Sequence, residues 1–180
     1  MTSEGWTREV LDFWFAQKPE TWWSADEEFD SEVRERFLEH WEEQQQRLVE
    51  SFLGSPDEAL AAVILFDQFP RNMFRGDART YATDHMALAI AKAAVGQGYD
   101  ETLGKDERTF LYMPYQHSEV LADQQRSLAL FSALDDPELL RFAKLHHDVI
   151  ERFGRFPHRN AILGRAPRPD EVAAGNVVPW

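Results

Sequence analysis

The chain has 180 residues, 43% hydrophobic and 13% aromatic, enough for one domain with a buried core and too apolar for intrinsic disorder. Its net charge of −13 argues against nucleic acid as a partner, because phosphate contacts need a basic surface. With no cysteine there can be no disulfide, thiolate zinc site or cysteine nucleophile.

Residues 1–6 show neither the basic nor the apolar region of a signal peptide. The longest strongly apolar run, residues 59–66, is far short of the roughly 20 that span a bilayer. The expectation is a cytoplasmic protein with no membrane partner. Residues 7–17 carry Val10, Leu11, Phe13, Trp14 and Phe15, the pattern of a buried helix. Ser24-Ala25-Asp26-Glu27 reads as a capping box opening a long acidic helix to residue 52. Phe29, Val33, Phe37, Trp41, Leu48 and Phe52 form its apolar stripe.

Gly54-Ser55-Pro56-Asp57-Glu58 is the clearest boundary, with Ser55 as cap and Pro56 in the first turn of a central helix over residues 57–69. Tyr81, Leu88 and Val95 recur every seven residues in the next helix, which Gly96-Gln97-Gly98 ends. Residues 99–107 read as a polar loop. Pro114 is expected to open a helix to about residue 134, and Asp136-Pro137 another to residue 153. No segment alternates as a strand does, so the fold class is all-α. We expect about seven helices in antiparallel pairs forming one domain over residues 1–165. Residues 166–180 read as a loosely ordered tail with a short turn at 170–174.

One motif occurs twice. Phe66-Asp67-Gln68-Phe69-Pro70-Arg71-Asn72 and Phe153-Gly154-Arg155-Phe156-Pro157-His158-Arg159-Asn160 share Phe-x-x-Phe-Pro followed by Arg-Asn, with His158 inserted in the second. Pro70 and Pro157 are expected to stop the preceding helices, leaving each Arg-Asn pair to bond loose carbonyls. If the copies are equivalent, their loops surround a shared centre.

These motifs, with Leu11-Asp12-Phe13-Trp14-Phe15, Arg75-Gly76, Tyr112-Met113-Pro114, His117-Ser118-Glu119 and Leu163-Gly164-Arg165, resemble the bacterial domain-of-unknown-function 924 family over nearly the whole chain. The resemblance implies a tetratricopeptide-like fold of antiparallel helix pairs and implies no activity. The regular 34-residue tetratricopeptide consensus is absent.

On a continuous helix from Pro114, His117 and Gln124 share a buried face with Val120, Leu121, Leu128 and Phe131. In the next helix His146 lies with Phe142, Val149, Ile150 and Phe153. These polar groups either bridge helices as satisfied core residues or line a pocket as acid/base or ligand-orienting groups. A metal site is disfavoured, since His146 and His147 are adjacent and no His-Glu-x-x-His occurs. No cofactor is expected. Ser118 lacks a nucleophile elbow.

The arginines give a further clue. Residues 152–168 hold Arg152, Arg155, Arg159, Arg165 and Arg168 and no Asp or Glu, while Arg71, Arg75 and Arg79 cluster around the first motif copy. Guanidinium suits bidentate capture of carboxylate or phosphate, or internal pairing with carboxylates such as Asp67 and Asp84. The expected binding set is Arg71, Asn72, Arg75, Gln124, His146, Arg155, Arg159 and Asn160, forming a groove or pocket for an anionic ligand or a peptide. The alternative is a metal-independent enzyme acting on an anionic metabolite, with His117, Asp67 or Glu119 moving protons.

Overall fold

Residues 59–66 are the most deeply enclosed stretch of the protein, every side chain fully buried. The structure is a computed structural model describing residues 3–179. It is all-helical, with no strand among the described residues. No described helix is long and apolar enough to cross a membrane. The chain divides into two compact units, Met1–Leu111 and Tyr112–Trp180.

In the first unit, α1 (Ser3–Phe15), the short α2 (Pro19–Trp23) and α3 (Glu27–Gln44) are followed by a single 3-10 turn, Val49–Phe52. Asp26, rather than Ser24, caps α3, its carboxylate accepting from the Glu28 and Phe29 amides at 2.9 and 3.0 Å. Ser24 instead lies at the end of α2, its hydroxyl donating to the Thr21 carbonyl. The long helix expected to reach residue 52 ends at Gln44. Arg47 bonds Gln44 and Ser51 and lies over the Phe52 ring, and Leu48 is exposed.

The central helix is α4 (Pro56–Val63), with Ser55 accepting from the Glu58 amide as expected. It runs without a stop through a π-helical turn, Ile64–Gln68, into α5 (Phe69–Met73). Pro70 therefore does not end the helix. A proline there has no N–H for the Phe66 carbonyl four residues back. The Thr83 hydroxyl supplies the missing donor at 2.7 Å, and the Phe69 amide bonds the Ile64 carbonyl in wider π geometry. Phe69 then packs against Phe37, Trp14 and Phe13 at ring separations of 4.5, 5.7 and 6.1 Å. The buried stripe of α3, Phe29, Val33, Phe37 and Trp41, closes the same core.

Thr83 has a second duty, accepting from the Trp41 indole at 3.1 Å. Replacing it by valine strands a buried carbonyl and a buried indole. Thr83→Val is expected to cost roughly 2–4 kcal/mol in urea unfolding, with Thr83→Ser close to wild type. A Val variant as stable as the Ser variant would show that the hydroxyl does not support the helix at Pro70.

Helix α6 (Asp84–Gly96) ends at the expected glycines, Gly98 taking positive φ. The polar stretch after it is not all loop: Tyr99–Thr102 is a 3-10 turn, and α7 (Lys105–His117) begins before residue 107. Pro114 lies inside α7 rather than opening a helix.

In the second unit, α8 (Leu121–Ser132) and α9 (Pro137–Phe153) pack against each other across a short link, with Asp136 capping α9 as expected. The continuous helix expected from Pro114 to residue 134 is broken between α7 and α8. The Ser118 hydroxyl accepts from the Val120 amide at 3.2 Å, and the Gln124 amide donates to the Gln116 and Ser118 carbonyls at 2.7 Å each. These side chains take the bonds that helix continuation would need.

Helix α9 is stopped by Gly154 at φ 67°, not by Pro157, which starts a 3-10 turn, Pro157–Arg159. Beyond it, the segment read as a loose tail carries α10 (Pro169–Ala174). Ala174 and Val177 pack on Val149, Ile150, Phe153 and Phe156.

Candidate functional site

The two copies of the Phe-x-x-Phe-Pro motif build different local structures. In the first, Arg71 and Asn72 stay inside α5, and their side chains turn to carboxylates of the same unit. Arg71 makes a bidentate pair with Asp84 at 2.8 and 3.0 Å, bonds the Asp67 carbonyl, and lies 3.4 Å from the Asp67 carboxylate. Burial works against its charge, but Asp67 and Asp84 outweigh burial and hold its pKa above the ordinary arginine value. Asp67 is 0% exposed and also accepts from the Gln68 amide at 2.6 Å.

Asp30 gathers the other two polar residues of this copy, taking Arg75 Nε and Nη2 at 2.7 and 3.0 Å and Asn72 Nδ2 at 2.8 Å. That hydrogen-bonded pairing raises the Arg75 pKa. Arg79 pairs with Asp77 at the surface.

In the second copy the Arg-Asn pair lies beyond the helix end, where carbonyls are exposed for capping. Arg159 donates to the His117 carbonyl at the end of α7 at 3.1 Å, with its guanidinium over the Phe156 ring. Arg168 donates to the Phe153 carbonyl that ends α9 at 2.9 Å. Around these runs a chain of alternating charge. Glu119 takes both Arg165 terminal nitrogens at 2.7 and 3.0 Å and the Phe156 amide at 2.7 Å. Arg165 Nε donates to Asn160 Oδ1 at 3.0 Å, and Asn160 Nδ2 donates to Glu171 at 2.9 Å. Glu171 in turn takes Arg155 Nε and Nη2 at 2.6 and 2.8 Å and the Arg168 amide at 2.7 Å.

The chain fixes its acids as anions. Burial opposes the Glu119 charge, yet Arg165 and the Phe156 amide bring its pKa below the ordinary value. The Arg155 hydrogen bonds bring the Glu171 pKa down to about 2. Beside this network lies a cleft of about 300 Å³ lined by Asn160, Arg165, Glu171, Pro157, Pro167 and Val172.

The histidines form a separate cluster in the same unit. The His146 ring lies 6.2 Å from His117 and 5.6 Å from Phe156, and Phe156 lies 5.7 Å from His158. His146 Nδ1 is 2.8 Å from the Phe142 carbonyl, which can only accept, so the proton is on Nδ1. Burial, reinforced by the neighbouring His117 and Arg159, pushes the His146 pKa down to about 3. It is neutral at physiological pH and a weak base. His147, Asp148 and Glu151 bring potential metal-ligand atoms within 4.8 Å of one another on an open turn of α9. Asp148 and Glu151 are exposed and His147 is half-buried.

The structure thus brings together Arg155, Asn160, Glu119 and Arg159 with His117 and His146 in one unit, and Asp67, Arg71, Asn72 and Arg75 in the other. Gln124 spends its side-chain NH2 on the Gln116 and Ser118 carbonyls. The partners that composition did not single out are Asp30, which looks like any other acid of α3, and Glu171. Glu171 has the sequence position of an ordinary first-turn glutamate, and nothing in the sequence marks it as inward-facing.

A family model described as a bacterial protein of unknown function, DUF924, matches residues 10–174. A solved structure of a protein of unknown function from Agrobacterium tumefaciens is similar at 38% identity, with a TM-score of 0.90, covering 96% of this chain and 98% of that one. A search of curated proteins finds no match.

Proposed function

The chain belongs to the bacterial DUF924 family, and from that premise we propose that it is a binding module whose C-terminal unit takes an anionic ligand. The observation that carries this reading is the charge distribution around the second motif copy. Of the net charge of −13, −12 falls in Met1–Leu111 and −1 in Tyr112–Trp180. Within that near-neutral unit, residues 152–168 concentrate five arginines and no acid, beside the cleft. Glu119 and Glu171 each hold one of those arginines in a bidentate pair. An anion entering there meets donors fixed by the fold, and charge-assisted bonds to such donors are worth about 1.5–3 kcal/mol each.

Binding is favoured over proton-transfer chemistry by the state of the candidate acids and bases. Of the three candidate proton carriers, Glu119 is held as an anion by Arg165 and Asp67 is sealed from solvent, while His146, the ring beside His117, has lost its basicity through burial. Arg71 and Arg75 donate to carboxylates of their own unit, whereas Arg159 and Arg168 donate to main-chain carbonyls, which favours the second motif copy as the place for an anion.

The test is a thermal-shift screen of phosphorylated metabolites and dicarboxylates at constant ionic strength, on wild type and Arg159→Ala. A ligand at a hundred times its Kd stabilises by about 2.7 kcal/mol, a rise of roughly 5–10 °C in Tm for a chain of this size. The expected result is a rise for a subset of anions that vanishes in the variant. No rise with any anion, or an equal rise in both proteins, overturns the reading.

A further inference from the structure

We propose that Arg155 and Asn160 form a recognition site for the carboxylate of a small molecule, and that Glu171 occupies this site in cis until such a ligand replaces it. The proposal rests on the anion-binding reading of the C-terminal unit and names its site and ligand class.

The donors around Glu171 are arranged as a carboxylate receptor. Arg155 presents Nε and Nη2 as a fork at 2.6 and 2.8 Å, and Asn160 adds Nδ2 at 2.9 Å. Planar fork-on-carboxylate geometry is how arginine selects this group over a point charge. The receptor is also oriented by bonds that do not involve Glu171. Arg165 Nε fixes the Asn160 oxygen, and Glu119 fixes Arg165 through two bonds, so the Asn160 NH2 is held facing the site. Arg155 Nη2 is further steadied by the Ala166 carbonyl at 2.8 Å.

The occupant is held in an unusual way. Helix α10 has six residues, and the one fully buried side chain in it is the charged Glu171, at 3% exposure. Val172 beside it is 65% exposed, and Ala174 is only partly buried. A helix this short gains little from its own backbone, and besides the Glu171 carboxylate it is held by the contact of Ala174 and Val177 with the α9 cluster and by Arg168 on the Phe153 carbonyl. Removing that carboxylate alone leaves the Arg155 fork and the Asn160 amide without their anion, whereas exchanging it for another carboxylate keeps those three bonds and gives up the cap on the Arg168 amide. Exchange is therefore the low-cost way for α10 to leave.

The cleft of about 300 Å³ shares Asn160 and Glu171 with the site and is lined also by Arg165, at the small end of the range for small-molecule pockets. Its apolar wall of Pro157, Pro167 and Val172 suits a short carbon chain behind the carboxylate. These dimensions favour a small carboxylic acid over a peptide. A tethered Glu171 competes at an effective concentration of order millimolar. A bare monocarboxylate should therefore fail against wild type and succeed once Glu171 is removed.

The experiment follows thermal unfolding of the full chain in propionate against chloride of equal ionic strength, for wild type, Glu171→Ala and the double variant Glu171→Ala/Arg155→Ala. The expected result is a lower Tm for Glu171→Ala that propionate restores saturably, with no propionate effect on wild type or the double variant. Because Glu171→Ala could fail to fold, Glu171→Gln is measured alongside by titration calorimetry with succinate. Its affinity should exceed wild type by at least about tenfold, since the tethered competitor has lost its charge.

The proposal is overturned if folded Glu171→Ala shows no saturable response to propionate, if the double variant responds equally, or if succinate affinity is the same for Glu171→Gln and wild type. Binding of a glutamate-terminated peptide, but of neither small acid, overturns the ligand class. If phosphate still stabilises wild type through Arg159 while these tests fail, the anion-binding reading stands and the Glu171 exchange does not.

Discussion

Arg71→Met is expected to destabilise the protein by about 3–5 kcal/mol, the usual cost of removing one partner from a buried ion pair. For a chain of this length that lowers Tm by roughly 6–20 °C. Arg71 serves two carboxylates at once, bidentate to Asp84 and within 3.4 Å of Asp67, and it bonds the Asp67 carbonyl in the π-helical turn. It also lies 5.7 Å from the centre of the Tyr81 ring. Methionine fills much of the same volume, so cavity formation contributes little and the loss reports the charge. Without the guanidinium, Asp67 stays enclosed in the core with its main cation removed. Urea denaturation with far-ultraviolet circular dichroism measures the effect. A loss below about 1 kcal/mol, typical of a surface pair, would mean that Arg71 does not compensate buried charge.

The second large effect is a pH dependence written by His146. Its folded pKa lies near 3, below its ordinary value of 6.5, because burial and the neighbouring His117 and Arg159 disfavour its charged form. Below pH 6.5 the unfolded chain therefore takes up a proton that the folded chain refuses. Stability is complete above pH 6.5 and falls as pH drops towards 3. The loss is about 2 kcal/mol by pH 5, with a ceiling on the order of 5 kcal/mol for the whole shift.

Glu171 and Glu119 act in the same direction but later. Their folded values lie below the ordinary 4.5, so their contribution is present above 4.5 and is lost as pH falls through the folded values, towards about 2 for Glu171. Between pH 6.5 and 5 the difference between wild type and His146→Phe isolates the histidine. Phenylalanine keeps a ring against Phe156 and cannot titrate. Urea midpoints at pH 7.5, 6 and 5 should fall steeply for wild type and stay flatter for the variant. Equal slopes would show that His146 is not held neutral by burial.

Where the sequence was legible, local chemistry and tertiary structure agreed. Ser55-Pro56 and Asp136-Pro137 begin helices because each cap needs only its own amides. The stripe Phe29, Val33, Phe37 and Trp41 is buried because four-residue spacing puts it on one face. The misread positions depend on distant partners. Pro70 looked like a terminator until the Thr83 hydroxyl, supplied by a later segment, replaced its missing donor. The helix after Pro114 looked continuous because a wheel does not reveal that Gln124 and Ser118 take the carbonyl and amide of the break. The duplicated motif suggested equivalence, yet Gly154 sets the second copy apart by ending α9 before its proline. The candidate site was half legible: arginines in an acid-free stretch stand out, whereas Asp30 and Glu171 belong to a crowd of acids and are singled out only by the direction they face.

The most direct measurement is a titration of 15N-labelled wild-type protein with succinate, following backbone amides and arginine Nε–H resonances at constant ionic strength. The predicted result is a saturable set of shifts centred on Arg155, Asn160, Arg165 and Glu171, with the Arg71 and Arg75 signals unmoved. Shifts that grow without saturation and spread over arginines of both units would contradict a built anion site in the C-terminal unit.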